Sequence, residues 1–70
     1  MGKLEQLAEI EGMEVMEMLE SATFDSVAHG ICKTPGCDYT TIVEPDSDAG
    51  WCEACDTGTV VSCLVLAGIL

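Results

Sequence analysis

Apolar residues recur at helical spacing near the start of the chain, first at Leu4, Leu7 and Ala8. Positions i, i+3 and i+4 share one face of a helix, so this spacing predicts a short amphipathic helix. The pattern fails at Glu11, and Gly12 follows it. Glycine favours a helix end because it readily adopts the left-handed conformation of a C-terminal cap.

A second helical pattern follows Gly12, and it allows two apolar stripes. One stripe is Met13, Met16 and Leu19, and the other is Val15, Leu19 and Ala22. Residues 1–24 are therefore predicted to form an acidic helical hairpin. Helices this short are not stable alone in water, so both must pack on another part of the protein.

Residues 25–58 contain four cysteines and a change of periodicity. The run Tyr39–Val43 is rich in β-branched and aromatic residues, which favours a strand. Residues 44–50 are polar and turn-forming, and Trp51 begins a short return. We predict a β-hairpin that carries one cysteine pair at its start and the other at its end.

Residues 59–70 are mostly apolar. They are too few to cross a bilayer, which requires about 20 residues. A helix beginning near Thr57 or Thr59 is preferred, because threonine can cap a helix and no Gly or Pro interrupts residues 60–67. The β-branched Val60, Val61 and Val65 favour a strand instead, so a strand that completes the sheet stays open as an alternative.

The spacing of the four cysteines carries the strongest chemical signal, since they form the pairs Cys32-x4-Cys37 and Cys52-x2-Cys55. Two close pairs of soft ligands, separated by a hairpin-sized insert, suit a tetrahedral metal ion, most often structural zinc. The fifth thiol, Cys63, lies in the apolar run and is predicted to be a small buried hydrophobe.

Several other residues are given non-catalytic interpretations. His29 is close to the first pair in sequence, but with four thiols present it is predicted to lie at the surface or to support a ligand. No Ser or Cys outside the metal set forms a persuasive nucleophile–base pair with it. The glutamates are predicted to form a solvated helix face, and the methionines to pack in the core rather than line an adaptable groove: Glu5, Glu9, Glu20, Met13, Met16, Met18.

The charge is strongly unbalanced, with 13 acidic and 2 basic residues and a formal net charge of −11. Four thiolates around a divalent ion would add about −2. Only Lys3 and Lys33 could neutralise phosphates, which disfavours direct contact with nucleic acid or with anionic membranes. A basic protein partner is compatible with this charge, although solubility alone also explains it.

The size and composition predict one small α+β domain over residues 1–70, with a helical hairpin (1–24), a four-cysteine ribbon (25–58) and an apolar C-terminal helix (59–70). The hydrophobic core of a 70-residue chain contributes little stability, so a domain of this size usually needs disulfides or a bound metal as well. The N-terminus lacks a basic region followed by a secretory apolar region, which predicts a cytoplasmic protein. Thiols stay reduced there and remain free to bind metal.

Residues 30–55 resemble a zinc ribbon, with Gly30-Ile31-Cys32-x4-Cys37, an acidic turn and Gly50-Trp51-Cys52-x2-Cys55. More narrowly, the chain is similar to small uncharacterised acidic bacterial and phage proteins that have this ribbon behind a helical N-terminus. The resemblance implies one structural Zn²⁺, held by Cys32, Cys37, Cys52 and Cys55. It implies no activity.

The function predicted from these observations is a small acidic zinc-binding module that acts as a protein-interaction module or adaptor and not as an enzyme. It would be a monomer or a weak homodimer with an unknown protein partner. One alternative is an iron electron carrier, since rubredoxins also place four cysteines on two loops, although their Cys-Pro-x-Cys-Gly sequence is absent here. The other is a transcription-associated zinc-ribbon regulator.

Overall fold

The computed structural model describes residues 2–70, which form three helices and four strands. The helices are α1 (Lys3–Glu11), α2 (Val15–Asp25) and α3 (Cys63–Leu66), and the strands are β1 (Ala28–Cys32), β2 (Thr40–Val43), β3 (Gly50–Cys52) and β4 (Thr57–Ser62). The strands form one antiparallel sheet, so the α+β class is confirmed.

The predicted helical hairpin is confirmed, and Gly12 ends its first helix. Gly12 has a φ of 71°, in the left-handed region. Its N–H donates to the carbonyl of Glu9 at 3.2 Å, and the N–H of Met13 donates to the carbonyl of Ala8 at 3.1 Å. These are the two bonds of a Schellman motif, which satisfies carbonyls at the end of a helix.

The sheet has the order β2-β1-β4-β3, which corrects the predicted β-hairpin. Both predicted segments are strands, but β2 pairs with β1 and β3 pairs with β4. The strand that the sequence did not indicate, β1, occupies the position beside β2. Its pairing continues past the strand end, where the N–H of Cys32 donates to the carbonyl of Tyr39 at 2.9 Å.

The predicted C-terminal helix from Thr57 or Thr59 is wrong in its first half, since Thr57–Ser62 is the strand β4. β4 is central in the sheet, where β-branched valines pack well. Helix α3 begins only at Cys63, and the Ser62 hydroxyl caps it by accepting a hydrogen bond from the Val65 N–H at 3.2 Å. Within residues 2–70, no helix combines the length and the apolar composition needed to cross a membrane.

Two glycines let the sheet curl around Val43. A Cβ atom on Gly30 would lie 2.8 Å from Val60 Cγ1 and 2.9 Å from Val43 Cγ2. A Cβ atom on Gly50 would lie 2.9 Å from Val43 Cγ1. Val43 on one edge strand thus packs over glycines of both β1 and β3. The close approach requires glycine at both positions because a larger residue would displace the valines.

Most of the buried apolar residues belong to two clusters. The helix-side cluster consists of Leu7, Ala8, Met18, Ala22, Ala28, Ile31, Cys63 and Leu64. The cysteine-side cluster consists of Cys32, Cys52 and Val60, with Cys37, Tyr39, Val43 and Cys55 packed against it. In α2, Val15, Leu19 and Ala22 belong to the helix side, which confirms the second of the two predicted stripes. Met16 is 76% exposed, so its predicted place in the core is wrong.

Candidate metal centre

Strand β4 brings the two cysteine pairs together, although the predicted hairpin does not form. Cys32 ends β1 and Cys52 ends β3, and these two strands flank β4. Cys32 lies opposite Val60 and Cys52 lies opposite Thr57. The loop after each strand then supplies one more cysteine. We call residues 32–37 the first knuckle and residues 52–55 the second knuckle.

The four cysteine sulfurs form a compact group in which all lie within 4.8 Å of one another. Cys32 Sγ is 3.8 Å from Cys55 Sγ, and Cys37 Sγ is 3.8 Å from Cys52 Sγ. Four sulfurs at about 2.3 Å from a central ion, placed at tetrahedral angles, are separated by about 3.8 Å. The group is therefore compatible with one tetrahedral metal ion, and its four cysteines are free thiols.

The first knuckle is shaped by its backbone and by a side chain of α1. The Cys37 N–H donates to the carbonyl of Thr34 at 3.0 Å, and Gly36 has a φ of 84°. Lys3 Nζ donates to the carbonyl of Thr34 at 2.9 Å and also to the carbonyl of Cys37. The first helical turn thus holds the knuckle in place through the side chain of Lys3.

The second knuckle is a tight turn that directs a backbone donor at a sulfur. The Cys55 N–H donates to Cys52 Sγ at 3.3 Å, and the Asp56 N–H donates to the carbonyl of Cys52 at 2.7 Å. Asp56 has a φ of 58°, a conformation that aspartate adopts more readily than most residues. An N–H directed at a sulfur stabilises the thiolate that a metal requires.

The thiol of Cys32 has a lowered pKa. Burial raises its pKa, but hydrogen bonds from Thr34 and Thr59 outweigh burial and lower the pKa to about 5. The Thr59 hydroxyl on β4 is 3.0 Å from Cys32 Sγ. Since a thiolate only accepts hydrogen bonds, this hydroxyl acts as a donor to the ionised sulfur.

The pKa of the Cys55 thiol is raised instead of lowered, because of the neighbouring sulfurs. The nearby Cys37 and Cys32 sulfurs, together with burial, raise its pKa to about 12. Four negative sulfurs at these distances repel each other, so the group would keep protons in the absence of a cation. A divalent ion removes that conflict, because metal binding displaces the protons and compensates the negative charge.

Two of the four cysteines are fully buried and two are partly exposed. Cys32 and Cys52 have no exposed surface, and Cys37 and Cys55 are half-buried. Within residues 2–70, no other group of three or more His, Cys, Asp or Glu side chains brings its ligand atoms this close together. Four protein ligands complete a tetrahedron and leave no position for a substrate or water.

The two other candidate residues lie elsewhere. His29 Nδ1 is 3.6 Å from Glu11 Oε2, so this histidine contacts α1 instead of the sulfurs. Cys63 is completely buried in the helix-side cluster, which confirms its prediction as a core residue. Burial raises the pKa of its thiol and makes it less reactive.

The exposed glutamates match the sequence prediction, since Glu5, Glu9 and Glu20 are all at the surface. Sequence reasoning missed two supporting residues, Lys3 and Thr59. Lys3 is 34 positions from Cys37, and no local pattern indicates that contact. The only sequence signal for Thr59 as a supporting residue is that it is a hydroxyl residue close to the second cysteine pair, at the start of a β-branched run.

Comparison with known proteins adds no relative: no protein-family model, no curated protein and no solved structure matches the chain. The resemblance to a zinc ribbon therefore depends on the cysteine spacing and on the arrangement of the four sulfurs.

Proposed function

We propose that this protein is a small interaction module whose fold is stabilised by one structural Zn²⁺, bound by Cys32, Cys37, Cys52 and Cys55. The observation that carries this proposal is the compact group of four sulfurs, with two distances of 3.8 Å. These match the edges of a zinc–thiolate tetrahedron.

The composition of the cysteine-side cluster supports a structural role for the metal. Its fully buried members are Cys32, Cys52 and Val60. Such a cluster offers little apolar area to stabilise the loops and edge strands around it. A bound ion would link β1, β3 and both knuckles, and its binding free energy would then contribute to folding.

The complete set of four protein ligands and the charge support a non-catalytic role. Catalytic zinc sites keep an open position, whereas four thiolates fill the tetrahedron. With a net charge of −11, the surface favours a basic protein partner over nucleic acid or an anionic membrane. Free thiols also need a reducing compartment, and the cytoplasm provides one.

Metal analysis of the purified protein, together with an activity screen, tests this proposal. We expect one zinc per chain, and we expect its removal by a chelator to abolish the dispersed amide spectrum of the folded protein. Zinc-loaded protein should show no hydrolytic or redox turnover. Reproducible turnover that disappears in Cys52→Ser but persists in Cys63→Ala would overturn the proposed role.

Iron electron transfer is the second candidate, since four thiolates also bind iron. The hydrogen bonds to Cys52 Sγ and Cys32 Sγ are of the kind that tunes a reduction potential. The visible spectrum distinguishes the two metals, because zinc thiolates are colourless and ferric thiolates are red. A red protein with reversible bleaching on reduction would favour this second function.

A further inference from the structure

An open apolar groove lies away from the cysteine group, between the end of α2, the turn before β3 and the segment after α3. It has a volume of about 470 Å³. Its lining residues are Ala22, Thr23, Ser26, Pro45, Leu64, Ile69 and Leu70. The lining has no charged side chain, and the volume is within the usual range of ligand pockets.

The segment after α3 forms a fixed wall of this groove. Gly68 has a φ of 77°, and its N–H donates to the carbonyl of Val65 at 3.1 Å. The N–H of Ile69 donates to the carbonyl of Leu64 at 3.0 Å. Ile69 and Leu70 are nevertheless 59% and 61% exposed. The wall is therefore held in position while its apolar side chains remain accessible, which lowers the entropic cost of binding.

Two acidic residues flank a lining residue of the groove. Glu44 and Asp46 flank the lining residue Pro45, and both acidic residues are exposed. The two lysines of the chain are both at the first knuckle, where Lys3 contacts its carbonyls and Lys33 follows Cys32. The Pro45 side of the groove rim thus carries two acidic residues, whereas both lysines are at the first knuckle.

The negative charge beside the groove favours some binding partners over others. A second copy of the chain would bring another formal charge of −11 toward the same rim. Like charges that face each other across an interface oppose association, whereas opposite charges accelerate and orient it. A segment with apolar side chains for the groove and lysine or arginine beside them complements both properties of this surface.

We propose that the groove binds the apolar side chains of a basic segment of a partner protein. This inference rests on the proposed role as an interaction module and specifies its binding surface and the chemistry of its partner. Ile69 and Leu70 would contact the apolar side chains, and Glu44 and Asp46, which flank Pro45, would face the cationic ones.

A synthetic amphipathic peptide of about 15 residues, with leucine at helical spacing and lysine elsewhere, is a suitable probe. The peptide is titrated into the ¹⁵N-labelled protein, which is used in its metal-loaded form as purified. Two control peptides are used. In the first, every lysine is replaced by glutamate, and in the second, every leucine is replaced by serine. We expect the largest amide shifts at the groove, for example at Ser26, Leu64 and Ile69, and weaker binding of both controls.

Two variants locate the binding surface. Ile69→Ser should weaken binding of the leucine–lysine peptide by about tenfold, because a half-exposed isoleucine loses its apolar contact with the ligand. Met16→Ser is the matched control, since Met16 is 76% exposed and lies outside the groove. Its affinity should equal that of the unmodified protein. Folding of each variant is checked from its amide spectrum.

Three results would overturn the groove proposal. They are equal binding of the serine-substituted peptide, amide shifts centred away from the groove, and a homodimer at the groove that excludes the peptide. The metal content separates this proposal from the proposed function. If the zinc-loaded protein does not bind the peptide, the groove proposal alone is refuted. If protein without metal is folded and binds the peptide, the proposal of a structural zinc alone is refuted.

Discussion

Lys3 at the start of α1 donates a hydrogen bond from Nζ to the backbone carbonyl of Cys37 in the first knuckle. A second bond from the same ammonium reaches the carbonyl of Thr34. The contact joins the helical segment (residues 1–24) to the cysteine-bearing segment (residues 25–58). It also gives the acidic helical hairpin a direct mechanical connection to the cysteine group.

Replacing this ammonium should destabilise the protein and weaken metal binding. Lys3→Met removes two charge-assisted hydrogen bonds, and such a bond contributes about 1.5–3 kcal/mol. Because Lys3 is half-buried, water can hydrogen-bond to the exposed carbonyls and compensate part of this loss. We expect a loss of about 1–3 kcal/mol in the free energy of unfolding. Lys33→Met is the control, because Lys33 is exposed. Chemical denaturation of the metal-loaded proteins measures the difference, and equal stabilities would refute the role of Lys3.

The cysteines should divide into four that retain the metal and one that does not. Cys52→Ser removes a fully buried sulfur from the group and should release the ion and unfold the cysteine side of the protein. Cys63→Ala should keep one metal per chain and reduce stability only through lost packing, by about 1–2 kcal/mol. Metal content per chain decides the matter. Retention in Cys52→Ser together with loss in Cys63→Ala would contradict the ligand assignment.

Thr59 should raise metal affinity through its hydrogen bond to Cys32 Sγ. Thr59→Val removes the donor, so the pKa of Cys32 should rise from its lowered value and protons should compete better with the metal. We expect an affinity loss of about 10–100-fold, as for other groups that support metal ligands. The loss should grow as the pH falls, because thiolates are needed for binding.

Competition with a chelator at several pH values measures this effect. Thr57→Val is the matched control, since Thr57 Oγ1 contacts Thr59 Oγ1 at 3.1 Å and is not itself a partner of the sulfur. A Thr57→Val effect as large as that of Thr59→Val would show that the direct hydrogen bond is not responsible.

The curl of the sheet depends on the close approach of Val43 and Val60 to Gly30. Gly30→Ala would place a Cβ atom 2.8 Å from Val60 Cγ1, which requires the valines to move. Such overpacking costs about 1–3 kcal/mol. In a double-mutant cycle, Val43→Ala should reduce the cost of Gly30→Ala because it removes one of the two opposing methyl groups. Strict additivity of the two changes would argue against the contact.

The parts of the fold that sequence predicted are those encoded locally. Gly12 indicates the helix end because a left-handed cap depends on one residue. The run Tyr39–Val43 indicates a strand because β-branched residues recur within it. The spacing of the cysteines likewise indicated which four would lie together, and the sulfur positions agree with that expectation.

The parts that sequence missed depend on long-range pairing. Strand β1 pairs with β4 about 30 residues later, as in Cys32 opposite Val60, and no local periodicity specifies such a partner. A mostly apolar run such as residues 60–67 fits a buried strand or a buried helix equally well. Ser62 decides the boundary by capping α3, while its hydroxyl also donates to the carbonyl of Pro45.

The central claim is that four thiolates hold one ion at the ends of β1 and β3. X-ray absorption at the zinc edge of the metal-loaded protein tests it most directly, since it reports the number, type and distance of the ligand atoms. We predict four sulfur neighbours at about 2.3 Å and no nitrogen or oxygen ligand. Two or three sulfurs completed by nitrogen or oxygen at about 2.0–2.1 Å would contradict the closed four-cysteine site.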